Sequence, residues 1–168
     1  MSLRGILRWP DGRLGAICAP IAAVSPEIEV LAHDMIETMY AAPGRGLAAP
    51  QVGELVRLFV MDATWKDGAD RAPEVFINPQ IVDRDDAETT RAEGCLSLPG
   101  ITVPVSRPAR VETVWLGLDG QSRRAWFEGF AAACVQHEID HLDGVVTLDR
   151  VDADTRARVL KAYSEALA

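Results

Sequence analysis

The segment FAAACVQHEIDHLDG, residues 130–144, constrains the fold more than any other. It begins with small residues, which let a helix lie close to a sheet, and ends at a glycine. A helix is therefore expected over Phe130–Asp143, ending near Gly144, central and buried. In a helix, positions four apart share a face about 6 Å apart. His137 and His141 can thus converge on one metal ion. Glu138, one position along, points to the side of such an ion, where it suits a base acting on metal-bound water. A solvated face with chance histidines explains this less well, since two of only three histidines fall in the pattern.

Two ligands do not make a catalytic metal site, so a third is required. Cys134 shares the stripe but lies seven residues from His141, roughly 10 Å along the axis. Metal–ligand bonds are about 2.0–2.3 Å, so Cys134 is read as a small buried hydrophobe. Cys18 sits among apolar residues and is read the same way. Cys95 differs: it lies in AEGCLSLPG, a polar segment read as a loop, with Gly94 before it and Pro99-Gly100 after. A thiolate beside two imidazoles on a divalent cation is stabilised in its ionised form. Spacing alone favours Cys95 over an acidic ligand and leaves the latter open. Three protein ligands keep a fourth position for water, as in catalytic rather than structural sites, and a metal there lowers the water's pKa to roughly 7.

Around this helix the chain reads as one domain, residues 1–168. SPEIEVLAHDMIETMYAAPG predicts a helix with Ser25 as N-cap and Pro26 in the first turn. Its apolar stripe is Ile28, Leu31, Ala32, Met35, Ile36 and Met39, with Pro43-Gly44 as the stop. His33 falls off the stripe and is expected to be exposed. Four strands are expected in VRLFVMDA, EVFINPQIV, RVETVWLGL and SRRAWFE. Turn signals stand at Lys66-Asp67-Gly68, Asp83 to Asp86, Pro99-Gly100 and Asp119-Gly120. No helical pattern separates these strands, so antiparallel hairpins are expected rather than parallel units. A peripheral amphipathic helix is expected over about Asp154–Leu167.

The net charge of −8 argues against nucleic acid or an anionic membrane as the main partner. No stretch approaches the roughly 20 apolar residues of a membrane span. MSLRGILRWPDGR reads as no secretory signal. Three scattered cysteines make no disulfide framework, so a reducing, cytoplasmic setting is expected.

With these residues in view, the sequence resembles the peptide deformylases. GRGLAAPQ (44–51) fits the family's G-x-G-L-A-A-x-Q pattern, EGCLS (93–97) matches in full, and QHEIDH (136–141) fits Q-H-E-x-D-H. Order and spacing agree, as does ILRWPDGRL near the start. The resemblance implies an α+β fold, with mostly antiparallel sheets around a central metal-binding helix and one helix near each end of the chain. It implies that Cys95, His137 and His141 bind the metal, that Glu138 is the general acid/base, and that Gln51 and the backbone N–H of Leu96 form the oxyanion hole. The implied reaction removes the formyl group from the N-terminal formyl-methionine of new polypeptides and releases formate. The implied partners are N-formylated nascent peptides, with transient ribosome contact. Ferrous iron is the family's usual metal, with zinc, nickel and cobalt able to take its place. The substrate backbone is expected to lie extended beside Gly44 to Gly46, adding a strand to the sheet. Arg107 is expected to pair with Glu93 and brace the cysteine segment.

Three departures bear on substrate choice. Arg45 stands where the family usually has Ile or Val facing the substrate channel. It can snorkel along the channel wall or point to solvent. Phe130 and Ala133 fall where the family shapes its methionine pocket, and their sizes can reshape it. GITVPVSRP lacks a basic residue that some members use to hold the peptide. Two rival readings remain. HEIDH also satisfies the HExxH pattern of zinc endopeptidases, but Thr147 stands where one subclass has its third histidine, and Glu165 is the only downstream glutamate for another. The second rival is a deformylase-like chain that binds without catalysis, against which Glu138, Gln51 and the fourth metal position speak.

Overall fold

The computed structural model describes residues 1–168. Helix α1 spans Pro26–Ala41, and the Ser25 side chain accepts the Ile28 N–H at 3.4 Å, as its cap chemistry predicts. Leu31, Ala32, Met35 and Met39 are buried on its inner face, and His33 is exposed. Asp34 and Thr38 are buried too, which hydrophobic periodicity does not reveal. The chain start runs along this helix and supplies their partners: the Ser2 N–H donates to Asp34 at 2.7 Å and the Arg4 N–H to Thr38 Oγ1 at 2.9 Å.

Seven strands follow: β1 (Gly46–Ala48), β2 (Leu58–Met61), β3 (Glu74–Arg84), β4 (Glu88–Cys95), β5 (Leu98–Pro108), β6 (Arg110–Leu116) and β7 (Ser122–Glu128). They form a five-stranded sheet of order β1-β2-β3-β6-β7 and a separate β4-β5 hairpin, antiparallel throughout. The four strands expected from alternation correspond to β2, β3, β6 and β7. The hairpin corrects two expectations. Cys95 is not in a loop: it is the last residue of β4. Pro99-Gly100 is not a turn: both lie inside β5, and Leu96-Ser97 makes the reversal. The β4 segment ETTRAEGC carries no apolar alternation because most of it faces water, and β5 is punctuated by three prolines. Strand pairing overrides both local signals, as Ala92 opposite Pro104 shows.

Helix α2 spans Gly129–Leu142, one residue earlier at each end than expected, and all eleven residues from Ala132 to Leu142 are buried. Its small first turns lie against the large sheet, where Ala132, Cys134, Val135 and Ile139 pack with Phe59, Phe76 and Trp115. It stops at Gly144, whose φ is +73°. A Cβ there would sit 2.6 Å from the Gly15 carbonyl oxygen, so only glycine ends the helix this way. Helix α3, Ala153–Leu167, is peripheral and buries only Val159 and Tyr163, which close over Val103 and Val105 of the hairpin.

Candidate active site

The hairpin meets α2, and this junction assembles the site. Side chains alternate along a strand, so Glu93 and Cys95 project from one face of β4 toward the helix. The Cys95 Sγ lies 3.5 Å from His141 Nε2, and the two histidine Nε2 atoms lie 3.2 Å apart. One donor atom from each of the three residues falls within 4.8 Å of the others. Bonds of about 2.0–2.3 Å to a common tetrahedral ion set donor atoms roughly 3.3–3.6 Å apart, close to the two distances measured from His141. Cys134 is outside the group and buried, as the axial-rise argument requires. Thr147 is buried in a short 3-10 turn and Glu165 is exposed on α3; neither joins the ligand set.

Behind the donors runs a buried chain of charges. His137 Nδ1 is 3.0 Å from Glu93, and Glu93 takes two bonds from Arg107, at 2.7 and 3.0 Å. Arg107 also donates to Asp140 at 2.8 Å, and Asp140 receives Arg150 from the surface at 3.0 Å. A carboxylate on Nδ1 assigns the proton there and turns the Nε2 lone pair toward Cys95 and His141. Burial raises the Glu93 pKa, but His137 and Arg107 outweigh it and hold the carboxyl below its ordinary value. Burial, with the charge of His137, pushes His141 well down toward its neutral, ligating form. The expected Arg107–Glu93 brace is therefore present and buried. Asp140 was missed as its second anchor, although an acid three residues after His137 on a buried helix was a signal.

Glu138 projects beside this group. Burial, the largest influence, raises its pKa to about 7. Its Oε2 is buried and has no hydrogen-bond partner. Gly46 is what makes room for it: a Cβ there would lie 2.5 Å from Glu138 Oε1. Gln51 stands on the 3-10 turn after β1. Its Oε1 accepts the Ala48 N–H at 2.9 Å, which forces the amide nitrogen toward the site. There Nε2 donates to Ser97 Oγ at 3.0 Å and points at Cys95 Sγ, 3.7 Å away. Ser97 was not singled out in the sequence, and nothing but its place in EGCLS marks it.

A cleft of 1180 Å³ opens over these groups. Gly44, Arg45, Gly46, Phe130 and Ala133, the expected substrate contacts, all line it, as do Gln51, Cys95, Leu96, His137 and Glu138. His141, 1% exposed, sits behind that wall. Arg45 takes the first of its two expected courses. It stays on the wall, with its guanidinium carbon 4.5 Å from the centre of the Phe130 ring and Nη2 3.2 Å from Asp67.

Comparison with known proteins agrees with this geometry. The family model described as "Polypeptide deformylase" matches residues 3–157. The chain belongs to that family. A peptide deformylase of Rhodopseudomonas palustris (strain BisB5) is 46% identical over 167 residues, covering 99% of this chain and 95% of the relative. One from Bradyrhizobium sp. (strain BTAi1) is 46% identical over 169 residues, covering 99% and 97%. Among solved structures, the peptide deformylase of Legionella pneumophila superposes with TM-score 0.91 at 36% identity, covering 98% of this chain and 95% of that one. The Ehrlichia chaffeensis family member in complex with actinonin gives 0.90 at 36%, covering 98% of each. The α+β family fold read from the sequence is the fold found.

Proposed function

We propose that this chain, acting as one catalytic domain, removes the N-formyl group from the N-terminal formyl-methionine of newly made polypeptides and releases formate. The observation that carries the reading is the Glu138 carboxyl, buried at the floor of the cleft with one oxygen unpartnered, on the same turn of α2 as His137. An unpartnered buried carboxyl oxygen costs stability, so its retention favours a task that uses it.

Cys95, His137 and His141 would hold one divalent metal, ferrous iron in the cell, with zinc, nickel or cobalt in its place after purification. When bound, the metal would acidify a water molecule and polarise the formyl carbonyl. Glu138 takes the proton of the attacking water and passes it to the leaving amine. The Gln51 amide, its orientation locked by Ala48 and Ser97, donates with the Leu96 N–H to the oxygen that gains charge. Gly44 and Gly46 keep the cleft wall thin beside β1, where an extended substrate adds as a strand. Phe130 and Ala133 contact its first side chain. We further infer a cytoplasmic location, with transient ribosome contact and no direct nucleic-acid or membrane binding. No helix is long and apolar enough to cross a membrane.

The test is formate release from an N-formyl-methionyl peptide by protein purified without oxygen, with metal content measured in parallel. Glu138→Gln is expected to lower turnover about 10²–10⁴-fold with metal per chain unchanged. Formate release unaffected by that substitution would remove Glu138 from the mechanism.

A further inference from the structure

We infer that the mouth of the cleft selects peptides with acidic side chains at their second and third positions, and that Arg45, with Arg91, Lys66 and Arg8 on the same cleft, does the selecting. The inference rests on the deformylase reading for where the formylated end lies. The chain as a whole is acidic, with 17 Lys and Arg against 25 Asp and Glu. The cleft reverses that balance. Its lining holds five basic residues, Arg4, Arg8, Arg45, Lys66 and Arg91, and two acidic ones, Glu93 and Glu138. Both acids are at the floor, and Glu93 is already paired with Arg107. Arg4 is committed to Asp34 and Glu54, but Arg8, Lys66 and Arg91 make no ion pair. Walls of one sign focus the field inside a cleft and favour an oppositely charged occupant.

Arg45 is the best placed of these cations. Its backbone is pinned on both sides: the Asp62 N–H donates to its carbonyl at 2.8 Å, and the Trp65 indole donates to the Gly44 carbonyl at 3.0 Å. Its guanidinium is stacked on Phe130, so little side-chain freedom is left to lose when a carboxylate arrives. Its one carboxylate partner, Asp67, has a side chain 64% exposed, a pairing that water and salt weaken. Residue 45 adjoins Gly46, the residue against Glu138, and an extended peptide advances about 3.3 Å per residue. The side chains that follow the formylated residue therefore pass Arg45. Arg91 reaches the same end of α2, its Nη2 lying 3.9 Å from where a Cβ on Gly129 would be. Two guanidinium groups at this end of α2 suit carboxylate side chains and repel lysine.

The experiment compares N-formyl-Met-Asp-Glu, N-formyl-Met-Ala-Ala and N-formyl-Met-Lys-Lys peptides on the full metal-loaded chain. Both kcat/KM and calorimetric binding are read. The acidic peptide is expected to exceed the lysine peptide about tenfold at low salt, and about twofold at most in about 0.5 M salt. Arg45→Met, which keeps an apolar stem on Phe130, should abolish most of that ratio. Arg91→Gln, at an exposed position, should reduce it by about half. Equal values for the three peptides, or a preference that survives both substitutions, overturns the inference. If no peptide releases formate, the deformylase reading fails instead, and the binding ratios still decide this one.

Discussion

Beneath the floor of the cleft, Glu93, Arg107 and Asp140 each have side chains less than 10% exposed, and each meets two charged or ring partners. At the mouth, Arg8, Lys66 and Arg91 are exposed and make no ion pair, and Arg45 has a single exposed acid beside the Phe130 ring. The two regions share a wall at residues 44–46 yet answer to different physics. Charges at the floor are desolvated, so each one is tolerated only because its partners are present. Charges at the mouth remain in water, where each is worth little alone and all are screened by salt. The floor can therefore hold geometry and the mouth can vary without unfolding the protein.

Arg107 is the partner that the floor's Glu93 and Asp140 share. Arg107→Ala leaves Glu93 and Asp140 buried without their shared cation. A loss of about 3–5 kcal/mol in stability is expected, together with faster loss of metal, because Glu93 then no longer holds His137. Urea unfolding and metal content after dialysis check it. Unchanged values for both would show that the floor is not a coupled unit.

Gly46→Ala tests the wall itself. The added Cβ would fall 2.5 Å from Glu138 Oε1 and 2.9 Å from Cys134 Sγ, so the carboxyl must move. Turnover is expected to fall about 100-fold, while overpacking costs about 1–3 kcal/mol. Measuring kcat beside thermal unfolding separates the two effects.

Asp62 supports the mouth from beneath. Its backbone N–H holds Arg45, and its carboxylate takes the Tyr40 hydroxyl and the Ala72 N–H, the latter at 2.8 Å. Burial raises its pKa, but the Tyr40 hydroxyl and the amides of Ala72, Thr64 and Trp65 prevail and lower it. A depressed carboxyl stabilises the fold above its unfolded pKa of about 3.9, and that stability is lost as pH falls through the folded value. Asp62→Asn should cost about 1–2 kcal/mol at neutral pH and flatten the acid limb of the stability profile below about pH 4. An acid limb identical to the parent's would contradict this.

The same division governs what could be read from the sequence. Helix α2 and its ligands were legible because helical spacing puts His137 and His141 together and small residues mark a buried face. The axial rise of a helix removed Cys134, and the polar, glycine-flanked setting of Cys95 favoured it over an acidic ligand, but only the EGCLS resemblance implied it as the third ligand. The hairpin carrying Cys95 was not legible. Its β4 strand is solvated, and β5 contains Pro99, Pro104 and Pro108, so neither shows the period of a buried strand. Asp34 and Thr38 were missed because their partners come from residues 2 and 4, over 30 positions away. Polar burial satisfied by distant backbone leaves no local trace. The direction of Arg45 was equally undetermined, since its platform is Phe130, 85 residues downstream.

The smallest effect expected on stability is also the sharpest test of the mouth. Asp67→Asn removes the only carboxylate that competes for the Arg45 guanidinium. Both groups are solvated enough that the pair contributes little, so unfolding should shift by no more than about 0.5 kcal/mol. Freed of its partner, the guanidinium stays stacked on Phe130 and meets an incoming carboxylate without first breaking an ion pair. The ratio of acidic to lysine peptides should then rise about twofold over the parent at low salt and return to the parent value in high salt. A ratio that falls instead would mean that Asp67 holds Arg45 in its receiving position. The mouth would then depend on its pairs as the floor does.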